Sequence, residues 1–209
     1  MAKDGYYFLV PLVTLGLVCL FINLSVPAVM LGVLAAFVVF FFRDPDRAVP
    51  ENPSAIVSPA DGRIIGLRAN NENLVLSIFL SIFNVHVNRA PISGLITKQE
   101  YRPGRFKIAY DDEASAVNEQ MAITITGEKE LTFSLIAGVL ARRICPWKKP
   151  GDRVNKGDRI ALIRFGSRVD VVLPPGVKVA VVKGDRVYAG STIIAYWGSE
   201  SEFADGGTN

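Results

Sequence analysis

His86 is the only histidine in a chain of 209 residues, and so the only side chain that ordinarily titrates near neutral pH. It lies in FNVHVNRAP at 83–91, where the flanking Val85 and Val87 suit a core position as well as a general acid or base. Asp61 stands in SPADGR at 58–63; Asp-Gly there is an ordinary turn pair, and the same turn can present a carboxylate. Gly166-Ser167, in RFGSRVD at 164–170, is a third candidate. A Gly-Ser pair between strands is commonly just a turn, and no G-x-S-x-G elbow surrounds it, which argues against a hydrolase. It suits a different chemistry: a serine hydroxyl can attack the carbonyl of the residue before it, and glycine leaves that carbonyl open. A base must then take the hydroxyl proton. Arg142 and Arg143, in AGVLARRI at 137–144, form either a solvated basic pair or a site for an anion.

Composition narrows the partners of this chemistry. Cys19 and Cys145 make no disulfide framework, and two cysteines with one histidine cannot complete a structural zinc site, so no metal is implied. Net charge is +3, without the Lys/Arg stripe and interleaved aromatics of a nucleic-acid binder, so no nucleic acid is expected. Lys3 and Asp4 cancel, leaving 22 basic against 19 acidic residues beyond position 42, enough only for a weak attraction to anionic headgroups.

The elements that must position these residues fall into two parts. Half of the chain is apolar and mean hydropathy is +0.30, yet positions 5–42 hold no Asp, Glu, Lys or Arg. Residues 6–22 and 28–42 are apolar runs joined by Asn23-Leu24-Ser25-Val26-Pro27. A single helix over both would be about 57 Å long against a hydrocarbon core of about 30 Å, so the break predicts a transmembrane or re-entrant hairpin of two short helices. One long tilted span and a cleaved signal peptide are the competing readings; Asp4 and the length of the apolar stretch weigh against the latter. Lys3, Arg43 and Arg47 flank the outer ends, which predicts a cell-membrane protein with both ends, and the domain that follows, on the cytoplasmic side.

Residues 43–209 read as mainly β. Short β-branched or aromatic runs at 64–65, 74–79, 122–125, 131–136, 159–163, 169–173, 177–182 and 192–197 are bounded by Gly, Pro, Asn or Asp. An internal repeat aligns GDRVNKGDRIA at 151–161 with GDRVYAGSTII at 184–194, a period of 33 residues. Its glycines are predicted to take positive φ at sharp reversals. The unit resembles the turn of biotinyl and lipoyl carrier domains, which implies a barrel-sandwich-like β domain. A carrier bears its modified lysine sixteen residues beyond the first glycine; here that position is Ser167.

Together, FFRDP at 41–45, SPADGRI from Ser58, the His86 stretch ending at Pro91, Asn118-Glu119, AGVLARRI and RFGSRVD resemble the phosphatidylserine decarboxylase family in its short, archaeal-and-bacterial form. The resemblance implies a proenzyme that cleaves itself before Ser167, by attack on Gly166 to an ester, elimination to dehydroalanine and hydrolysis to a pyruvoyl group. The products would be a β chain, 1–166, and an α chain, 167–209, with no separate cofactor. It further implies a serine phospholipid as substrate, decarboxylated to the ethanolamine phospholipid at a membrane, and association into a homo-oligomer. Asp61 matches the family aspartate that orients or activates the base, and His86 the first histidine of an H-x-x-H-x-P stretch. The second histidine, implicated in the relay to serine in longer relatives, is Arg89 here. Relay by His86, direct action of Asp61 and lowering of the serine pKa by Arg89 all remain open. Arg142, Arg143 and Arg168 are the candidates for holding the substrate's carboxylate or phosphate. Two other readings compete: a pyruvoyl decarboxylase of a soluble amino acid, and a non-catalytic membrane-anchored adaptor.

Overall fold

The computed structural model describes residues 1–104, 118–138, 143–163 and 167–198, and the chain divides into two compact units, Met1–Asp46 and Arg47–Asn209. In the first, a 3-10 turn (Lys3–Gly5) leads into α1 (Tyr6–Phe21), which reverses onto α2 (Ser25–Phe41). The reversal is made by Asn23, at φ 62°, a conformation that Asn tolerates better than most side chains. The second helix starts three residues earlier than the apolar run. Pro27 falls in its first turn, where a backbone N–H has no partner inside the helix and a missing one costs nothing. Phe42 closes the unit: its carbonyl accepts from Ala2 N at 2.8 Å and its ring stacks on Phe8 at 5.6 Å. Apolar side chains face outward around the pair, with Tyr7 81% and Phe21 88% exposed. Lys3–Phe21 is long and apolar enough to cross a membrane; Ser25–Phe41 is shorter.

The second unit is mainly β, as the sequence predicts, and its largest sheet curls into a half-barrel. Its strands are β1 (Ala55–Val57), β2 (Gly62–Asn70), β3 (Asn73–Leu80), β4 (Val87–Arg89), β5 (Gly94–Arg102), β6 (Gln120–Thr126), β7 (Glu130–Ala137), β8 (Ile144–Pro146), β9 (Arg153–Val154), β10 (Arg159–Ile163), β11 (Ser167–Leu173), β12 (Val177–Val179), β13 (Arg186–Val187) and β14 (Ile193–Trp197). Eight form one antiparallel sheet in the order β13-β2-β3-β11-β7-β6-β5-β9, and two small sheets run β1-β14-β12 and β4-β10-β8.

These orders are palindromic. Exchanging β1 with β4, β2 with β5, β3 with β6, β11 with β7, β12 with β8, β13 with β9 and β14 with β10 returns the same arrangement, so the unit is two like halves related about the β7–β11 pair. Local details repeat as well. Bulges fall at Ile64/Gly66 in β2 and, 32 positions on, at Ile96/Lys98 in β5. Gly151, Gly157, Gly184 and Gly190 all have positive φ, as expected of the repeat. Gly151 N donates to Ile96 O and Gly184 N to Ile64 O, each at 2.8 Å.

One half is continuous, β4 to β10. The other is β1 to β3 resumed at β11. In the continuous half, β6 and β7 are joined by a tight hairpin whose last pair is Thr126–Glu130. In the other half the last pair is Leu80–Ser167, and the whole continuous half is inserted between those two residues. The core lies on one face of the large sheet, where Ile64, Ile78, Val169, Leu135 and Met121 form a buried row across five strands. Burying each such side chain is worth about 1.5–3 kcal/mol.

Candidate active site

The insertion has two junctions: Ser167 stands at one, and the other leads within six residues to His86. Leu80 ends β3 beside Ser167; residues 81–86 then lead to His86, whose carbonyl accepts from Ile163 N at 3.3 Å. From Ile163 the chain returns to Ser167 across three residues, a span of at most about 14 Å.

The first junction is held by Asn84, whose Oδ1 accepts from Ser81 N and Oγ, both at 2.8 Å. Two residues later His86 is fully buried, with Nδ1 2.9 Å from Asn84 O. A carbonyl only accepts, so Nδ1 carries the hydrogen in this bond; in the neutral tautomer that this bond selects, Nε2 is the nitrogen that bears none.

Ser167 opens β11, paired with Leu80 on one side and Ala137 on the other. By strand alternation it shares the core-facing side with Val169. It is fully buried, and its Oγ has no hydrogen-bond partner among the described residues. Only two other buried side-chain polar atoms among those residues lack one, Arg47 Nε and Asn88 Oδ1; both residues bond to the 58–63 turn, Arg47 to Asp61 and Asn88 to Pro59 O. Buried unpaired polar atoms are rare in folded proteins.

Asp61 precedes β2. Gly62 lies one residue beyond the Arg63–Phe79 pair, level with Leu80, so Asp61 begins about two strand spacings, or roughly 10 Å, from Ser167 along the sheet. A Cβ on Gly62 would strike the Phe79 carbonyl, which is why glycine follows the aspartate. Asp61 is 4% exposed. Its Oδ1 accepts from Ala189 N at 2.8 Å, and Arg47 Nη2 reaches Oδ1 at 3.0 Å and Oδ2 at 2.8 Å. The same turn is tied to the His86 strand: Pro59 O accepts from Arg89 N at 2.9 Å and from Asn88 Nδ2 at 3.4 Å.

On the far side of Ser167, Ala137 N donates to Glu119 O and Asn118 Nδ2 donates to Ala137 O, each at 2.9 Å. Tyr101 is pushed above its ordinary pKa, first by lost hydration and then by the charge of Glu119 and a hydrogen bond to it. Ser167 and the segment leading to His86 thus flank the insertion junctions, with Asp61 two strands away on one side and Asn118 next to Ala137 on the other.

The arginines are dispersed. Arg168 is fully buried on the sheet face opposite Ser167, its Nε on Asp170 Oδ1 at 2.7 Å and its Nη2 on Ser77 Oγ at 2.8 Å. Arg89, 6% exposed, donates from Nη1 to Gly157 O at 3.0 Å and packs beside Gly190, where it links the two repeat turns. Arg143 is exposed, and Arg142 and Gly166 lie outside the described residues. Sequence reasoning missed Arg47 as a site residue, since as a basic residue after an apolar run it reads as a membrane flank. It also gave no role to Asn88, a strand residue like its neighbours until its unpaired buried oxygen is seen.

The pseudo-symmetric place in the continuous half carries none of this chemistry. There Ser93 stands where Asp61 does, its Oγ accepting from Lys156 N at 2.9 Å as Asp61 accepts from Ala189 N. It borders a cleft of about 620 Å³ lined by Glu51, Glu128, Lys129, Lys156 and Trp197. Burial holds Lys156 below its ordinary pKa.

Fold and site first define a class: a duplicated β domain with a buried serine at an insertion junction and a buried imidazole and carboxylate on the segments around it, in a chain that carries an apolar helical hairpin. The family follows from comparison. Residues 34–195 match the phosphatidylserine decarboxylase family, and the chain belongs to it and is an enzyme of that kind. It is 44% identical over 203 residues to the phosphatidylserine decarboxylase proenzyme of Symbiobacterium thermophilum, covering 93% of this chain and 94% of the relative. The proenzyme of the same name from Solibacter usitatus is 44% identical over 196 residues, 93% of this chain and 96% of that protein. That of Burkholderia multivorans is 48% identical over 170 residues, 78% and 79% of the two chains.

Proposed function

We propose that the chain cleaves itself between Gly166 and Ser167 and then decarboxylates a serine phospholipid to the ethanolamine phospholipid, at the cytoplasmic face of a cell membrane. The observation that carries this is the buried Ser167 hydroxyl, which begins a central strand and gives its hydrogen to no described residue. A hydroxyl without a competing partner is available to attack the carbonyl before it.

Ser167 Oγ adds to the Gly166 carbonyl and loses its proton to a base, and the C–N bond breaks to leave an ester and a free amine. Loss of the Ser167 Cα proton to a base expels Gly166 as a carboxylate and leaves dehydroalanine. Water then replaces the amine nitrogen, releasing ammonia and leaving a pyruvoyl group at the head of the 167–209 chain. His86 Nε2 fits the acceptor in these steps, with the ring fixed through Nδ1 on Asn84. Asp61 orients this end of the site from the turn before β2. Once formed, the pyruvoyl group supplies a ketone that binds an amine and takes up the electron pair freed as CO2 leaves. β11, paired from Arg168 onward with β3 and β7, would hold such a group at its head. His86 also serves in this reading as the group that returns a proton to carbon. The apolar hairpin keeps the domain at the surface where a lipid headgroup lies, which favours a phospholipid over a soluble amino acid.

Denaturing mass spectrometry of the purified protein is expected to give two chains that meet at 166/167, the smaller one blocked to N-terminal sequencing. A single intact mass would overturn the reading. Membranes containing the protein are expected to convert a serine phospholipid to its ethanolamine form. Release of CO2 from a soluble amino acid instead would transfer the activity to that substrate.

A further inference from the structure

We infer that Arg47 is a positioning residue for the reaction, acting through Asp61; the inference rests on the function proposed above. Arg47 is the first residue of the β unit, so its place is set by packing within that unit. Its side chain is 14% exposed and that of Asp61 5%, so the pair is largely removed from water. A buried carboxylate needs a cation or several donors to offset lost hydration. Asp61 receives Ala189 N on one oxygen and Arg47 Nη2 across both.

The geometry says what Arg47 does. One nitrogen serves both carboxylate oxygens, while Nε, which a side-on fork would use, is buried and unpaired. The guanidinium sits over the Tyr188 ring at 5.6 Å, next to the residue whose N–H binds the other side of the carboxylate. Arg47 thus clamps Asp61 against the 188–189 backbone and fixes the rotation of its carboxylate. An end-on contact forgoes the stronger forked geometry. The orientation imposed on Asp61 accounts for keeping it.

The test uses the full-length chain with Arg47→Ala and Arg47→Lys, following the appearance of the two fragments after synthesis. Self-cleavage in Arg47→Ala is expected to slow at least about tenfold, the scale of a lost charge-assisted contact of 1.4 kcal/mol or more. Millimolar guanidinium should restore part of that rate, whereas equal ammonium should not. A residue needed only for stability would show no such selective rescue. Arg47→Lys, which keeps the charge without the planar donors, should fall between wild type and Arg47→Ala while melting as wild type does. Should Arg47→Ala fail to fold, Arg47→Lys decides: a wild-type cleavage rate in it overturns the inference. So does a wild-type rate in a folded Arg47→Ala, or equal rescue by both cations. Asp61→Asn is measured alongside. Normal cleavage in Asp61→Asn would overturn the site on which this rests, whereas blocked cleavage there with a native rate in Arg47→Ala overturns the role of Arg47 alone.

Discussion

A buried hydroxyl without a partner costs a folded protein about 1–3 kcal/mol, and Ser167 bears that cost in the middle of the largest sheet. Alanine there removes the hydroxyl and leaves strand pairing intact, because β11 pairs through its backbone. Ser167→Ala is therefore expected to remain a single uncleaved chain and to melt no lower than the uncleaved parent. Denaturing electrophoresis and a thermal melt check both halves, and persistent cleavage would show that another nucleophile acts. At this scale the legible residues were those whose type already carries reactivity: the lone His86, Asp61 before a glycine, and Ser167 after one. Arg47 and Asn88 were not legible, because an arginine after an apolar run and an asparagine in a strand have ordinary uses. Their roles arise from burial and unpaired atoms that appear only when distant segments meet. Arg168 shows the converse: it stands next to Ser167 in sequence, yet alternation turns it to the other face, where Asp170 and Ser77 hold it.

Elements were legible where they bury one face. The runs at 131–136, 159–163 and 169–173 became the central or well-buried strands β7, β10 and β11, because β-branched alternation and burial act on the same residues. β5 was not legible, since Lys98, Gln99 and Glu100 break its apolar signal on a largely exposed strand. The short β1, β4, β8, β9 and β13 have two or three residues, too few to show a period. Between β1 and β2, the SPADG turn depends on close backbone approach. Gly62→Ala places a methyl against the Phe79 carbonyl, a backbone atom that cannot swing away. The substitution is expected to destabilise by about 1–3 kcal/mol, or roughly 2–4 °C in Tm per kcal/mol for a domain of this size. Because the strain falls beside Asp61, cleavage should slow as well. A melting temperature within error of the parent, with normal cleavage, would show that β2 and β3 can part at this end without consequence.

At the scale of the whole molecule, the 33-residue repeat seen in the sequence is the last legible part of a duplication of the entire domain. Turn glycines preserve it because positive φ restricts those positions to one residue type, whereas core positions of a pseudo-symmetric pair are free to exchange one apolar side chain for another. The duplication explains why the proposed break at 166/167 would be tolerable: it would fall where one half is handed back to the other, at the head of β11 and not within it. The 167–209 chain would keep β11 between β3 and β7, β13 on β2, and β14 on β1, all strands of the 1–166 chain. Removing β11 would open the centre of the eight-stranded sheet and expose Val169, Val171 and Leu173, all buried. The two chains are therefore expected to co-elute in native gel filtration and to separate only in denaturant. Unfolding of the cleaved form becomes bimolecular, so its melting temperature should rise with protein concentration, whereas that of uncleaved Ser167→Ala should not. Separation of the fragments on dilution in native buffer would mean that the sheet does not hold the cleaved chain together. In that case Ser167 would lose the paired strands that fix it, β3 through Leu80 and β7 through Ala137.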